Sequence, residues 1–412
     1  MHPVRAVSAL IVCAGLAGLL LPSCNQGKLV AKSGLKGGMN YMQPMRWRMT
    51  MRYRVREILP DNPFLRERPS EFDPKIPAVG PGTYEVWLMA PRQGEEIRDV
   101  KLCYTQPEPT LVTDGPNDTT FYYYDLSPDG NLPLEASIAV QWEFLTFERY
   151  AHWDGMPTGD YDKGSELYRR YTSQEDPIVV FPEMEKLARD IVKRTGDDHV
   201  KTALACYNHV LTQYDYDYLQ DLYITYCGMA KTIDSYRCWQ NRTGQCDEFA
   251  NVVCSMLRSC GIPSRPVYGI AHQTVRLHDL AARMGYDLPD NCFVDQYILD
   301  PAPHAWAEFY LPEVGWIPLD PTWGMYSVDD TIDPQMSPLA NLREISWGDY
   351  YFGKSDAYRI TLGKNWHVRL TPPPKTPGAD PEQLWHIGYV DRFSGVRDVV
   401  YGWEGIPALR GG

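Results

Sequence analysis

Between Met45 and Arg56 the residue types alternate without a break. Met45, Trp47, Met49, Met51, Tyr53 and Val55 fall on one parity, and Arg46, Arg48, Thr50, Arg52, Arg54 and Arg56 on the other. A period of two is that of a half-buried strand, with one face in a core and the other rich in arginine. Such a face either meets a polyanion or phospholipid, or is solvated and paired with acids of a neighbouring strand; the second is the simpler expectation. Further strand runs follow at Thr83–Met89, Asp99–Tyr104, Thr119–Leu126 and Ala136–Phe147, each bounded by Pro, Gly, Asp or Asn clusters. Helical spacing is absent there, so residues 45–150 are expected to form an all-β, sandwich-like antiparallel domain in which nothing looks catalytic.

From Pro182 the period changes. Met184, Leu187, Ala188, Ile191 and Val192 form one helical stripe, and Ala203, Tyr207, Val210 and Leu211 another. A second domain is expected over residues 151–371. Pro372, Pro373, Pro374 and the Pro377-Gly378 pair then read as a stiff linker or surface loop, and 372–412 as a C-terminal extension with two short aromatic strand candidates.

Candidate chemistry lies in the second domain. Residues 242–250 read Arg-Thr-Gly-Gln-Cys-Asp-Glu-Phe-Ala and open a helix whose apolar positions are Phe249, Ala250, Val253, Met256, Leu257 and Cys260, stopped by Gly261 and Pro263. Cys246 is thus expected in the first turn, where unpaired backbone N–H groups and the positive end of the helix dipole favour a thiolate. By itself this fits a structural cysteine equally well. Residues 304–311 and 315–322, His-Ala-Trp-Ala-Glu-Phe-Tyr-Leu and Gly-Trp-Ile-Pro-Leu-Asp-Pro-Thr, look like a hairpin. A three-residue loop from Pro312 to Val314 would set Asp320 opposite Trp306, on the sheet face of His304 and one step along. A two- or four-residue loop would put them on opposite faces, so parity alone leaves the register open.

Composition changes the picture little: 23% of the 412 residues are charged and the formal net charge is −13, which fits a globular protein and argues against a general nucleic-acid partner. The N-terminus adds more. Arg5 precedes an apolar run from Ala6 to Leu21, then Pro22, Ser23 and Cys24, an export-signal pattern too short, and too interrupted by Gly15 and Gly18, for a spanning helix. A small residue before Cys24 resembles the bacterial lipoprotein box, in which that cysteine is lipidated; ordinary secretion is the alternative. Residues 1–24 are expected as signal, 25–44 as tether, and the mature protein on the cell-envelope side of a membrane through lipidated Cys24. Export permits disulfides, but if Cys246 is a thiol the other seven of Cys103, Cys206, Cys227, Cys238, Cys254, Cys260 and Cys292 are odd in number, and spacing does not pair them.

The blocks Gly-Gln-Cys-Asp-Glu-Phe-Ala (244–250), Cys-Gly-Ile-Pro-Ser-Arg (260–265), His-Ala-Trp-Ala-Glu (304–308) and Gly-Trp-Ile-Pro-Leu-Asp-Pro-Thr (315–322) resemble, in order, those of the transglutaminase-like superfamily of papain-type folds, over roughly residues 180–330. The resemblance implies an α+β fold with a papain-like transglutaminase core, a nucleophile helix packed on an antiparallel sheet. It also implies a triad of Cys246 as nucleophile, His304 as base and Asp320 as the residue orienting the base, with an acyl-enzyme thioester. Gln240 and Trp239 are oxyanion candidates by the same resemblance, with loop packing as the even alternative.

The chain departs from the compact family pattern between Gly269 and Pro303, where an insertion holds His272, His278 and Cys292. The two histidines are six apart, which suits no standard zinc spacing, so no metal is expected. Trp306, Trp316 and Trp323 are expected as core and cleft wall around the triad.

Three functions follow: a thiol hydrolase acting on peptide, amide or isopeptide bonds, a transamidase crosslinking proteins through glutamine, and a non-catalytic envelope binding module. Hydrolysis is the expectation, because no calcium-loop run of acids or acyl-acceptor tunnel is legible. The partner is then a protein or peptide substrate, and no organic cofactor is implied.

Overall fold

The computed structural model describes residues 37–57, 84–126, 136–217, 235–273, 300–325, 348, 351–375, 382–383, 388–392 and 396–408, except 92, 115–118, 157–158, 176, 197, 358 and 367. The expected signal with Cys24, most of the tether, and His278, Cys227 and Cys292 lie outside the described residues.

In chain order come β1 (Gly38–Glu57), β2 (Tyr84–Met89), β3 (Ile97–Gln106), β4 (Leu111–Asp114), β5 (Thr120–Asp125) and β6 (Ala136–His152). Next are α1 (Glu166–Thr172), α2 (Pro182–Thr195), α3 (His199–Gln213), the short β7 (Asp215–Tyr216), α4 (Ser235–Asn241), the short β8 (Thr243–Gly244) and α5 (Cys246–Ser259). Then follow β9 (Ser264–Gln273), β10 (Asp300–Leu311), β11 (Gly315–Leu319), α6 (Pro321–Met325), β12 (Lys354–Ser355) and β13 (Arg359–Lys364). The last are β14 (Val368–Arg369), β15 (Glu382–Gln383), β16 (Gly388–Arg392) and β17 (Val396–Ala408).

The alternation in β1 does what its period requires. Trp47, Met49 and Met51 are buried while Arg46 and Arg48 are exposed. Arg48 pairs with Glu143 of β6, an acid on the neighbouring strand. The strand begins at Gly38 rather than at 45, because Gly38 to Met42 pair with His152 to Glu148, and the register slips between Met42 and Met45. Pro44 stands in that slip; proline lacks the ladder N–H and is tolerated at a bulge.

β12, β6, β1 and β17 lie side by side, with β3 also on β6, and a second sheet runs β16, β2, β5, β4. Tyr122 meets Trp142 edge-on at 5.5 Å between the two sheets, and the Thr105 and Tyr124 hydroxyls are 2.9 Å apart. The residues past 372, expected as an extension, return to both sheets: β17 pairs with β1 from Arg46↔Ala408 to Glu57↔Val396, and β16 pairs with β2. The proline linker docks on the way, the Trp87 indole donating to Pro372 O at 2.9 Å and Lys375 N to Glu85 at 2.8 Å. β4, with no alternation to announce it, is one of the strands the sequence reading lacks, with β9 and β13 of the sheet in the second half.

The second half is built around α5. Twelve of its residues, Asp247 to Arg258, are buried, and it packs on β10, β9, α3 and α4. A helix covered on all sides must satisfy its polar groups internally. Asn251 accepts from the Trp366 indole at 2.6 Å, Ser255 donates to Ser235 at 3.0 Å, and Arg258 reaches Ser264 O, Ser173 O and Glu175. The sheet beside it runs β11, β10, β9, β13. α2 and α3 bury the expected stripes at Met184, Ala188 and Ile191 and at Ala203, Tyr207, Val210 and Leu211; Leu187 and Val192 are half-buried at the edge.

Candidate active site

Cys246 is the first residue of α5, as its sequence context predicts, and is half-buried. Gln245 is the N-cap in extended conformation, and its backbone N donates to the Glu248 carboxylate at 2.6 Å. The glutamate two residues after the cysteine thus has a structural task, closing the helix start around Cys246. The approach to the helix is pinned as well. β7 and β8 pair in parallel, Asp217 N donates to Gly244 O at 2.8 Å, and Gln245 Nε2 reaches Asp217 O at 3.3 Å. A Cβ on Gly244 would lie 2.8 Å from the Cys238 sulfur and 2.9 Å from Glu248 Cβ, so glycine is required two residues before Cys246.

The hairpin takes the three-residue loop. Leu311 pairs with Gly315 and Ala307 with Leu319, so Asp320 follows opposite Trp306. Glu313 and Gly315 turn it with φ of 65° and 98°. His304 lies in β10 opposite Gly269 of β9, and a Cβ on Gly269 would strike Ile360 O of β13 at 2.0 Å, so glycine lets the third strand close in behind the histidine. His304 Nε2 donates to Asp320 Oδ2 at 2.7 Å, with both side chains buried. That bond places the ring proton on Nε2 and leaves the Nδ1 lone pair for a thiol.

Asp320 is held on every side. Its Oδ1 accepts from Trp323 N at 2.9 Å, its backbone N donates to Tyr351 O at 3.0 Å, and the Tyr207 hydroxyl donates to its carbonyl at 3.2 Å. Arg359 of β13 donates through Nη1 to Oδ2. Burial alone would push this carboxyl up, but Arg359, then His304 and the Trp323 amide, outweigh it and hold the group well below the usual carboxylate range. Trp306 and Trp323 flank the imidazole, centroids 6.0 and 5.8 Å away.

One expectation lands elsewhere in space. Trp316 lies over the Arg265 guanidinium at 3.8 Å and edge-on to Tyr171, at a different charge cluster from His304. Trp239 stacks on His209 at 5.4 Å with Arg242 over its face at 4.4 Å, and the exposed Gln240 amide donates to Tyr236 at 2.7 Å. Both oxyanion candidates thus have packing partners, the alternative raised for them from the sequence. Arg359 and its partner Asp356 are the site residues the sequence reading missed. One arginine on a six-residue strand makes no motif, and the register that brings it to Asp320 exists only in the folded sheet.

The other described cysteines form no disulfide. Cys254 is buried in α5, and burial pushes its thiol up to about 12. Cys206 is raised by its hydrogen bond to Cys260, sulfurs 3.8 Å apart, and by burial. Among the described residues no cluster of His, Cys, Asp and Glu is arranged to hold a metal ion.

Residues 185–321 match the family model described as Transglutaminase-like superfamily. A stretch of 86 residues is 30% identical to the uncharacterized protein YebA of Bacillus subtilis strain 168, covering 21% of this chain and 10% of that protein, so the match spans about a tenth of that relative. Among solved structures, the chain is similar to a candidate cysteine protease from Cytophaga hutchinsonii, at 12% identity over 89% of this chain and 93% of that one with a TM-score of 0.42. It is also similar to the periplasmic domain of TgpA from Pseudomonas aeruginosa, at 17% identity over 66% and 88% with a TM-score of 0.31, and to red sea bream transglutaminase, at 12% identity over 75% and 58% with a TM-score of 0.27. With four motif blocks in order and a mixed helix-and-sheet core that seats them, residues 185–321 form a domain of the transglutaminase-like superfamily.

Proposed function

We propose that the chain is a thiol hydrolase that cleaves peptide, amide or isopeptide bonds, with Cys246 as nucleophile, His304 as base and then acid, and Asp320 holding the imidazole. The observation that carries the reading is the buried 2.7 Å bond from His304 Nε2 to Asp320 on a strand packed against the helix that Cys246 begins. In this mechanism Nδ1 of His304 takes the thiol proton, and the sulfur attacks the carbonyl carbon. The oxyanion meets the helix N-terminal amides, and the imidazolium protonates the leaving amine. Water, activated by the same imidazole, then cleaves the thioester. Asp320 stays ionised throughout, since Arg359 and the Trp323 amide stabilise its charge independently of His304.

An amine in place of water would make the same site a transamidase, a difference of acyl acceptor rather than of triad. The reading includes export and attachment to the envelope through Cys24, supported by the apolar run and small residue that precede it; no helix among the described residues is long and apolar enough to cross a membrane.

The test is the pH dependence of iodoacetamide labelling, mapped to individual cysteines, on the purified chain with Cys246→Ala and His304→Ala beside it. Labelling of Cys246 well below the ordinary thiol pKa of about 8.5, lost in His304→Ala, supports the reading. Peptide turnover with and without added amine then separates hydrolysis from transfer. An ordinary titration indifferent to His304 would move the protein to the binding-module class.

A further inference from the structure

We propose that Arg359 and Asp356 are a positioning pair for the site: Arg359 locks the carboxylate that orients His304, and Asp356 cancels the charge Arg359 would otherwise set against the imidazolium. The inference rests on the thiol-hydrolase reading and adds to it two residues outside the motif blocks.

The sheet register places Arg359 there. His304 pairs with Gly269, Gly269 with Thr361, and Arg359 is two residues from Thr361, hence on the same face. Its Nη1 donates to Asp320 Oδ2, the oxygen that His304 Nε2 also uses, and its Nε donates to Asp356 Oδ2 at 3.2 Å. With Oδ1 on Trp323 N and Oδ2 on Arg359, the carboxylate cannot rotate, so the imidazole meets a fixed acceptor. The guanidinium is itself clamped by the rings of Trp306, Trp323 and Tyr351, 5.4, 5.0 and 4.9 Å from its carbon, and its side chain is 3% exposed.

This arrangement creates an electrostatic problem that Asp356 solves. A buried cation on the same oxygen as His304 neutralises Asp320 and opposes a second positive charge on the ring. The groups that face this point are His304 from β10, Asp320 after β11, Tyr207 from α3, and Tyr351, Asp356 and Arg359 from the segment through β13, with Cys246 of α5 added by the thiol-hydrolase reading. Of these, Asp356 alone supplies a second carboxylate, and the Tyr351 hydroxyl steadies it at 3.3 Å. With Asp356 present the two carboxylates balance guanidinium plus imidazolium. Burial of the pair does not by itself argue for a stabilising role, because buried ion pairs are often replaceable by apolar side chains without loss. Arg359 Nη2 also finds no hydrogen-bond partner among the described residues, so its burial is not one that satisfies every donor.

The experiment measures Cys246 alkylation by iodoacetamide against pH on the full chain, wild type and variants, with near-ultraviolet circular dichroism to establish folding. Asp356→Asn should raise the pH midpoint by about one unit, since an uncompensated guanidinium disfavours the imidazolium that stabilises the thiolate. Arg359→Gln should move it the other way, and the double variant should return towards wild type, the signature of two charges acting on one group. Arg359→Lys, which keeps the charge and loses the fork, should hold the midpoint near wild type and carries the test should the glutamine variant not fold. Unchanged midpoints in folded Asp356→Asn and Arg359→Gln, or shifts of the same sign, overturn the proposal while leaving the nucleophile in place. If wild-type Cys246 itself titrates as an ordinary thiol regardless of His304, the enzyme reading has failed instead, and the two results are told apart by the wild-type curve.

Discussion

Two buried charge clusters share one face of β10, with Trp306 between them, and they differ in kind. At Glu308, Arg149 from β6 and Arg265 from β9 both bond the carboxylate, Arg265 at 2.9 and 2.8 Å, and Arg149 also reaches Trp316 O at 2.8 Å. Four residues earlier, His304 shares Asp320 with Arg359. Each cluster lays an arginine on a tryptophan, Arg265 on Trp316 and Arg359 on Trp306. The first is made only of groups whose charge is permanent near neutrality, and it ties β6 of the N-terminal sheet to β10, which suits a staple. The second contains an imidazole, a group able to gain and lose a proton in the neutral range. Both clusters pair a buried carboxylate with arginine, and they part on whether one member can change its charge near neutrality.

Breaking the reactive cluster should have the largest effect. Cys246→Ala or His304→Ala should lower hydrolysis by on the order of 10⁴-fold or more in steady-state assays, with thermal midpoints close to wild type. Asp320→Asn should cost about 10³- to 10⁴-fold in kcat, because an amide can present its N–H to Nε2 and favour the wrong tautomer.

Breaking the staple should do the reverse. Glu308→Gln leaves Arg149 and Arg265 without their counter-charge and should destabilise by about 3–5 kcal/mol in urea unfolding. The pH midpoint of Cys246 labelling in the folded fraction should not move. If it does, the two clusters are coupled and the comparison fails.

Acid should sharpen the contrast further. Burial pushes the Glu308 carboxyl up, but Arg149, Arg265 and Lys364 outweigh it and leave its folded pKa well below its unfolded value. A depressed carboxylate contributes stability in full above its unfolded pKa of about 4.3 and loses it as the pH falls. The gap in thermal midpoint between wild type and Glu308→Gln should therefore be widest above about pH 5 and narrow towards pH 3. The smallest effect is expected on the outer face of β1, where Arg48 and Glu143 pair in solvent. Arg48→Ala should leave the thermal midpoint within error, and a clear loss of anionic-vesicle binding in that variant would revive the polyanion reading of the arginine face.

The nucleophile helix, the hairpin and the β1 alternation were legible in the chain because each is a local pattern: a 3.6-residue stripe stopped by Gly261 and Pro263, two strands about a short turn, and a strict period of two. The hairpin register was legible only as a choice. Parity allows either face, and the turn at Glu313 and Gly315 decides for the three-residue loop that brings Asp320 to His304. The extent of β1 and the destination of β16 and β17 were not legible, because the strand start at Gly38 and the pairing of Ala408 with Arg46 are long-range ladders whose hydrogen bonds leave no mark on either segment alone.

By itself, then, the sequence determined where the candidate residues stand: Cys246 at a helix start, and His304 and Asp320 on a hairpin, in motif blocks whose order resembles one superfamily. Tertiary structure alone decided what surrounds them. Arg359 and Asp356 reach the site by sheet register, Glu308 becomes a staple because two arginines from other strands converge on it, and Trp316 leaves the triad it neighbours in sequence. The physical reason is range. Propensity and periodicity act over a few residues, whereas the field at a buried carboxylate is set by whichever charges the packed sheet carries within a few ångströms, however far apart they lie along the chain.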